Sequence, residues 1–70
     1  MNANNDPIQK EIAKQFTGES CYLDGAPAKV TGRLNAFATI APLNPALPSV
    51  EYSWHTVNRI MRKDRYFTAK

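Results

Sequence analysis

The Asp24-Gly25 dipeptide restricts the fold more than any other feature, because it separates two short segments that have the character of β-strands. Residues 20–23 (SCYL) precede it, and residues 26–34 (APAKVTGRL) follow it. Asp and Gly tolerate the positive φ angles that a two-residue hairpin turn requires. The sequence therefore predicts a β-hairpin, so the fold must contain at least one antiparallel pair of strands.

The second strand of this hairpin has two different sides. An alternation of small or apolar side chains with polar ones predicts one buried face and one basic, exposed face. A glycine on the inner side, Gly32, marks a bulge or a sharp bend of a small sheet. The inward set is Ala28, Val30 and Leu34, and the outward set is Lys29, Thr31 and Arg33.

A helical pattern comes before the hairpin, in residues 6–17. Asp6 can cap this helix and Pro7 suits its first position. Apolar residues then recur every four positions and form one stripe that we expect to cover one end of the core. This stripe contains Ile8, Ile12 and Phe16, with Ala13 beside it. We expect residues 1–5 to be flexible.

Two more strands follow the hairpin. Residues 35–41 (NAFATIA) predict a third strand, and their alternation leaves open which face is buried. Pro42, Pro45 and Pro48 then predict a loop. Residues 49–53 (SVEYS) predict a fourth strand with Val50 and Tyr52 on one face.

The last part of the chain predicts a short helix and a final strand. Ser53 can cap a helix of about two turns over residues 54–61 (WHTVNRIM). Tyr66 and Phe67 can form a fifth strand, followed by a flexible tail at 68–70. We expect seven residues to close the core: Val50, Tyr52, Trp54, Val57, Ile60, Met61 and Phe67.

Together these elements predict a mainly β fold with α-helices, in a single domain of residues 1–70. Five short strands in so short a chain favour a small, strongly bent antiparallel barrel, preceded by the amphipathic helix and closed by the helical turn. The order of elements over residues 20–67 resembles the SH3-like small barrels. In their general character, the segments that begin at Cys21 and Val50 resemble accessory proteins of bacteria and of their phages or plasmids.

Composition limits the setting and the chemistry. The chain has 70 residues and one cysteine, Cys21, which excludes an internal disulfide framework and favours a reducing cytoplasm. The sequence shows no signal peptide and no membrane-spanning run. His55 and Cys21 cannot form a zinc site by themselves. We therefore expect no metal, no cofactor, no small-molecule substrate and no membrane partner.

The sequence also lacks the side-chain sets that enzymes use. His55 is the one histidine, and the pattern predicts that it is exposed without a nucleophile nearby. Cys21 is best read as a small buried hydrophobic residue. Asp24 and Asp6 belong to the turn and the cap. Glu51 and Asp64 are isolated, so the pattern predicts no pair of carboxylates for acid and base catalysis. We therefore predict no catalytic residues and no enzymatic activity.

One enzyme family gives a remote alternative. The segment SVEYSWHTVNRI resembles the last strand and helical turn of plasmid-encoded type II dihydrofolate reductases, which are small SH3-like barrels with an active-site pore in a tetramer. That family has a Val-Gln-Ile-Tyr run where this chain has Val50, Glu51, Tyr52 and Ser53. The glutamine and isoleucine that hold the pterin are absent here, so the resemblance supports the barrel and not the activity.

The remaining candidate is a basic surface. The net charge is +3, and it is uneven: residues 26–70 have seven basic groups against two carboxylates. Cations and exposed aromatic rings are what small barrels use to bind nucleic acid. An acidic protein surface is the other candidate partner. The alternative without a ligand is that the cations face water and balance the negative end of the helix dipole. We call six residues the predicted basic face: Lys29, Arg33, Arg59, Arg62, Lys63 and Arg65.

The aromatic residues divide between the core and this surface. Trp54, Tyr52 and Phe67 are needed for the core of so short a chain, which leaves Phe37 and Tyr66 as exposed rings that could stack. We therefore predict a non-enzymatic binding module for nucleic acid or an acidic protein. The alternative is a protein adaptor or a homodimer that forms through strand edges without nucleic acid.

Overall fold

The computed structural model describes residues 7–32 and 37–69 of the chain. Two helices and five strands follow in the order α1 (Pro7–Phe16), β1 (Ser20–Leu23), β2 (Ala26–Gly32), β3 (Ala38–Pro42), β4 (Val50–Tyr52), α2 (Trp54–Met61) and β5 (Tyr66–Phe67). The predicted cap Asp6, residues 1–5 that were expected to be flexible, Arg33 and Leu34 lie outside the described residues, as does Lys70 of the predicted tail.

The predicted hairpin is confirmed. β1 and β2 pair antiparallel, with Leu23 opposite Ala26. Asp24 and Gly25 have φ angles of 51° and 86°, so both turn residues lie in the left-handed region that a two-residue turn requires. β3 and β4 continue the meander, each antiparallel to the strand before it.

The prediction of an entirely antiparallel sheet is wrong at β5. This strand pairs with β1 in parallel, with Tyr22 opposite Tyr66 and Leu23 opposite Phe67. The cause is the path of α2, which starts directly after β4 and returns the chain beside the beginning of β1. Because β5 enters the sheet at the same end as β1, the two strands run in the same direction.

The sheet is curled into a half-barrel rather than a closed barrel. Its strand order is β4-β3-β2-β1-β5, which leaves β4 and β5 as the two edges of the described sheet. Side chains bridge the gap on the inside, where the rings of Tyr52 and Phe67 lie 5.1 Å apart. The molecule is therefore a mixed α/β fold with two helices on a curled sheet. The SH3-like resemblance is not confirmed and stays a prediction.

Both helices cover the inner face of the sheet. Their buried side chains join those of β1, β2, β3 and β5 in one apolar cluster. Trp54 and Phe67 are its largest fully buried members, which confirms the structural role predicted for the tryptophan. Of the other predicted core residues, Val57 and Met61 are buried, while Val50, Tyr52 and Ile60 are partly buried against the same cluster.

The exposure of individual side chains decides two further questions, the position of Ile8 and the buried face of β3. Ile8 was expected in the buried stripe of α1, but it is 60% exposed, because contact with the core begins one turn later at Ile12. In β3 the sequence left both faces open, and the structure buries Ala38 and Ile40. Neither described helix is long enough and apolar enough to cross a membrane.

Candidate functional site

Two tyrosines stand side by side on the outer face of the sheet. Tyr22 of β1 and Tyr66 of β5 are cross-strand partners and are 50% and 51% exposed. Their ring centroids lie 5.8 Å apart, with the ring planes inclined by 70° in an edge-to-face pair. Such pairs favour this geometry, since the positive edge of one ring meets the negative face of the other. The sheet thus presents a preformed aromatic surface to solvent.

Two cations lie at the level of Ser20 in β1. Lys29 on the outer side of β2 is the cross-strand partner of Ser20, two residues before Tyr22 in β1. Arg65 directly precedes Tyr66, and its Nη1 donates to the Ser20 carbonyl oxygen at 3.4 Å. Ser20 therefore has one cation on each side. We call Tyr22, Tyr66, Lys29 and Arg65 the tyrosine face.

Arg65 also has an ion pair at the edge of this face. Its Nη1 lies 3.5 Å from Oε1 of Glu19, and both side chains are close to half exposed. Exposed pairs of this kind contribute about 0 to 1 kcal/mol to folding, because water screens the charges and two flexible side chains must be ordered. The pair therefore holds the guanidinium only weakly.

The backbone of Arg65 is held in an unfavourable conformation. Its φ angle is 59°, in the left-handed region that glycine adopts readily and other residues adopt at a cost of about 1 to 3 kcal/mol. The Arg65 N–H donates to the Ile60 carbonyl at the end of α2 (2.9 Å), and the Arg65 carbonyl accepts from the Tyr22 N–H (2.9 Å). The turn from α2 into β5 imposes this conformation.

The helical cations of the predicted basic face lie on another part of the molecule. Arg62 spans the two helices: its Nε donates to Asn58 Oδ1 at 2.8 Å and its Nη2 to Gln15 Oε1 at 3.3 Å. Its Cζ also lies 5.9 Å from the ring centroid of Phe16. Arg59 belongs to the same helix and is exposed.

The predicted basic face is thus not a single surface among the described residues. α2 packs on the inner side of the sheet, whereas Lys29 points outward from β2. Arg59, Arg62 and Lys63 therefore belong to the helical layer, whereas Arg65 contacts β1 at the carbonyl of Ser20, the cross-strand partner of Lys29. Arg33 lies outside the described residues.

Both aromatic residues predicted to be exposed are exposed. Tyr66 belongs to the tyrosine face, and Phe37, directly before β3, is 60% exposed. Sequence reasoning missed Tyr22 as a site residue, although the alternation of β1 contained the signal. Cys21 and Leu23 are buried, so Tyr22 between them must point outward.

Cys21 and Tyr52 are the described side chains whose pKa values burial raises. Cys21 is buried, and burial raises the pKa of its thiol, while the charge of Arg65 lowers it to a smaller extent. Burial and the charge of Asp24 raise the pKa of Tyr52, whose hydroxyl has no hydrogen-bond partner in the described structure. No three His, Cys, Asp or Glu side chains of residues 7–32 and 37–69 come together as metal ligands.

An open cavity of about 300 Å³ lies between the hairpin turn and the proline loop. Leu23, Pro42, Leu47 and Val50 contribute apolar walls, and Asp24 adds a carboxylate. Oδ1 of Asp24 already accepts from the Ala69 N–H at 3.0 Å. The cavity offers little directional polar recognition, so the tyrosine face is the stronger candidate site.

No protein-family model, curated protein or solved structure matches the chain.

Proposed function

We propose that the protein is a non-enzymatic nucleic-acid-binding module that acts in the cytoplasm and binds its ligand on the tyrosine face. The observation that carries the proposal is the exposed edge-to-face pair of Tyr22 and Tyr66, with Lys29 and Arg65 at Ser20, two residues before Tyr22. Aromatic rings stack on bases, and the adjacent cations neutralise phosphates. The two kinds of residue lie close together along β1, at Tyr22 and at Ser20.

The tyrosines favour nucleic acid over an acidic protein surface. Carboxylates of an acidic protein would pair with Lys29 and Arg65, but they would make little contact with the faces of the two tyrosine rings. Stacking of a base on an aromatic ring contributes about 1 to 3 kcal/mol, which is as large as the contribution of a single cation. Nucleic acid is thus the ligand that uses all four residues.

Fluorescence anisotropy with labelled oligonucleotides tests this proposal. For a single strand, the logarithm of the binding constant falls with the logarithm of salt concentration by about 0.7 per neutralised phosphate. If Lys29 and Arg65 make the phosphate contacts, the expected slope is about −1.4, whereas all six cations of the predicted basic face would give about −4.2. The slope therefore measures which surface is used.

Matched variants connect binding to the face. We expect Tyr66→Ala to weaken binding about tenfold and Tyr66→Phe to retain it, since stacking needs the ring and not the hydroxyl. Lys29→Ala should weaken binding more than Lys10→Ala, which removes the same charge from the exposed side of α1. Fluorescence of the buried Trp54 verifies that each variant is folded.

Two results would count against the proposal. The first is the absence of binding to any oligonucleotide at low salt. The second is equal competition by poly-glutamate, together with unchanged affinity in Tyr66→Ala. That second result would identify the acidic protein surface as the partner.

A further inference from the structure

We propose that the tyrosine face binds a single-stranded segment, that Arg65 holds one of its phosphates, and that Glu19 competes with that phosphate for Arg65. This inference rests on the proposed function and deepens it. Three observations carry it: the exposed tyrosine pair, the left-handed backbone of Arg65, and the ion pair between Arg65 and Glu19.

The ring geometry favours unpaired bases. Tyr22 and Tyr66 lie on the outer side of a sheet, and each is about half exposed, so a planar ligand can reach them from solvent. In a duplex the bases stack on one another and leave their faces unavailable, whereas a single strand can present them. The inclination of 70° between the rings prevents the pair from clamping one base between parallel planes. A base must therefore stack on an outward ring face.

The backbone of Arg65 indicates that its side chain has a role beyond folding. The turn from α2 into β5 requires a positive φ, and glycine satisfies this requirement without strain. What the Arg65 side chain gains in the free protein is an exposed ion pair and a long hydrogen bond to Ser20 of 3.4 Å. Such exposed contacts stabilise a fold only slightly. A ligand that contacts the guanidinium would account for arginine at this position.

Glu19 is positioned to oppose that contact. Its carboxylate lies 3.5 Å from the Arg65 guanidinium, in a position that a phosphate oxygen would take. A bound phosphate must displace this carboxylate and also lies close to its negative charge. Glu19 therefore lowers the affinity of the free protein, and its removal should strengthen binding.

The decisive experiment compares two variants that change the net charge equally. Glu19→Gln removes the competing carboxylate, and Glu11→Gln removes an exposed carboxylate on α1. With a labelled single strand as the probe, we expect Glu19→Gln to lower Kd by roughly two- to fivefold relative to Glu11→Gln. We also expect the wild-type protein to bind the single strand more tightly than a duplex of the same sequence.

Arg65→Gly gives an independent test. This variant relieves the left-handed strain, so the unfolding midpoint, followed by Trp54 fluorescence, should stay unchanged or rise. Binding of the single strand should weaken about tenfold because a charge-assisted contact is lost. A protein that is at least as stable but binds less tightly cannot be explained by a purely structural role of Arg65.

The outcomes separate this inference from the proposed function. If no oligonucleotide binds, the proposed function fails and the inference fails with it. If oligonucleotides bind but duplex is preferred, or Glu19→Gln behaves as Glu11→Gln, the inference alone is overturned. Unchanged binding by Arg65→Gly would likewise overturn the assignment of the phosphate to Arg65.

Discussion

Gly32 ends β2 where the backbone of the segment before β3 lies close by. Its φ is 130°, and a Cβ at this position would lie 2.9 Å from the Phe37 carbonyl oxygen and 3.0 Å from Ala38 Cα. These are backbone atoms of the neighbouring strand segment, so the sheet itself would have to shift. The sequence predicted a bulge or sharp bend at this glycine, but the pairing of β2 with β3 is regular up to Gly32 opposite Ala38, and the close approach of the backbone is the reason for a glycine here.

Replacement of Gly32 by alanine should therefore destabilise the fold strongly. We expect Gly32→Ala to lower the free energy of unfolding by roughly 2 to 4 kcal/mol, from strain and steric overlap together. Gly18→Ala is the matched control: it also has a positive φ, but its Cβ meets nothing within 4 Å. Its cost should be about 1 to 2 kcal/mol. Urea denaturation measures both, and equal losses would contradict the role of the close approach.

Because the thiol of Cys21 is buried, we expect the stability of the fold to fall at alkaline pH. Burial raises the pKa of its thiol above the ordinary 9.0, and Arg65 offsets this in part. In the unfolded chain the thiol ionises at its ordinary pKa, while the folded thiol stays protonated. The stabilising contribution is therefore present below about pH 9 and is lost as pH rises through the folded pKa.

The variant Cys21→Val tests whether the thiol is the cause of this loss of stability at high pH. Valine fills a similar apolar position and cannot ionise. Between about pH 8 and pH 10, we expect the urea midpoint of the wild-type protein to fall more than that of the variant. The raised pKa of Tyr52 affects both proteins in the same direction, so the difference isolates Cys21. Parallel curves would show that the thiol contributes nothing.

At the scale of elements, α2 explains most of what differs from the predicted fold. Ser53 caps it, with Ser53 Oγ accepting from the Thr56 N–H at 3.2 Å, as the sequence predicted. Trp54, Val57 and Met61 bury its apolar side. Its path from the β4 edge to the β1 edge sets the direction of β5 and separates the helical cations from Lys29.

The two helices are joined by Arg62. Loss of its contacts with Gln15 and Phe16 should destabilise the protein, so we expect Arg62→Ala to lower the free energy of unfolding by roughly 1 kcal/mol. Arg59→Ala removes the same charge from the same helix end, with a change within about 0.5 kcal/mol. Thermal or urea denaturation distinguishes them. Equal stability of the two variants would show that Arg62 is merely a solvated cation.

At the scale of the whole molecule, the open half-barrel leaves two sheet edges, and both discourage pairing with a second copy. At β5 the Tyr66 N–H already donates to Asp64 Oδ1 at 3.1 Å. β4 has three residues with exposed Glu51 in the middle, so antiparallel pairing centred there would place two carboxylates opposite each other. Short strands and edge charges are a common protection against edge-to-edge association.

We therefore expect a monomer, in contrast to the strand-edge homodimer considered from the sequence. Sedimentation velocity across micromolar to submillimolar concentrations should give one species of monomer mass. Glu51→Val removes the charge at the β4 edge and should increase self-association. A concentration-dependent dimer in the wild-type protein would contradict this account of the edges.

Much of the local structure was predictable from the sequence because its causes are local. Asp24-Gly25 specifies a turn through the backbone conformations that these two residues tolerate. Alternation and helical spacing identified the faces of β2 and α2, including burial of Trp54. The same rule applied to β1 would have placed Tyr22 outside, so this part of the candidate site was within reach of the sequence.

Tertiary structure alone decided how these elements meet. The parallel direction of β5, the pairing of Tyr22 with Tyr66, and the contact of Arg65 with Ser20 all depend on where α2 returns the chain. Periodicity reports which side of an element is apolar, but it contains no information on which distant element will pack there. For this reason the sequence determined the types and faces of the elements, while packing of α2 on the sheet determined which cations and rings share a surface.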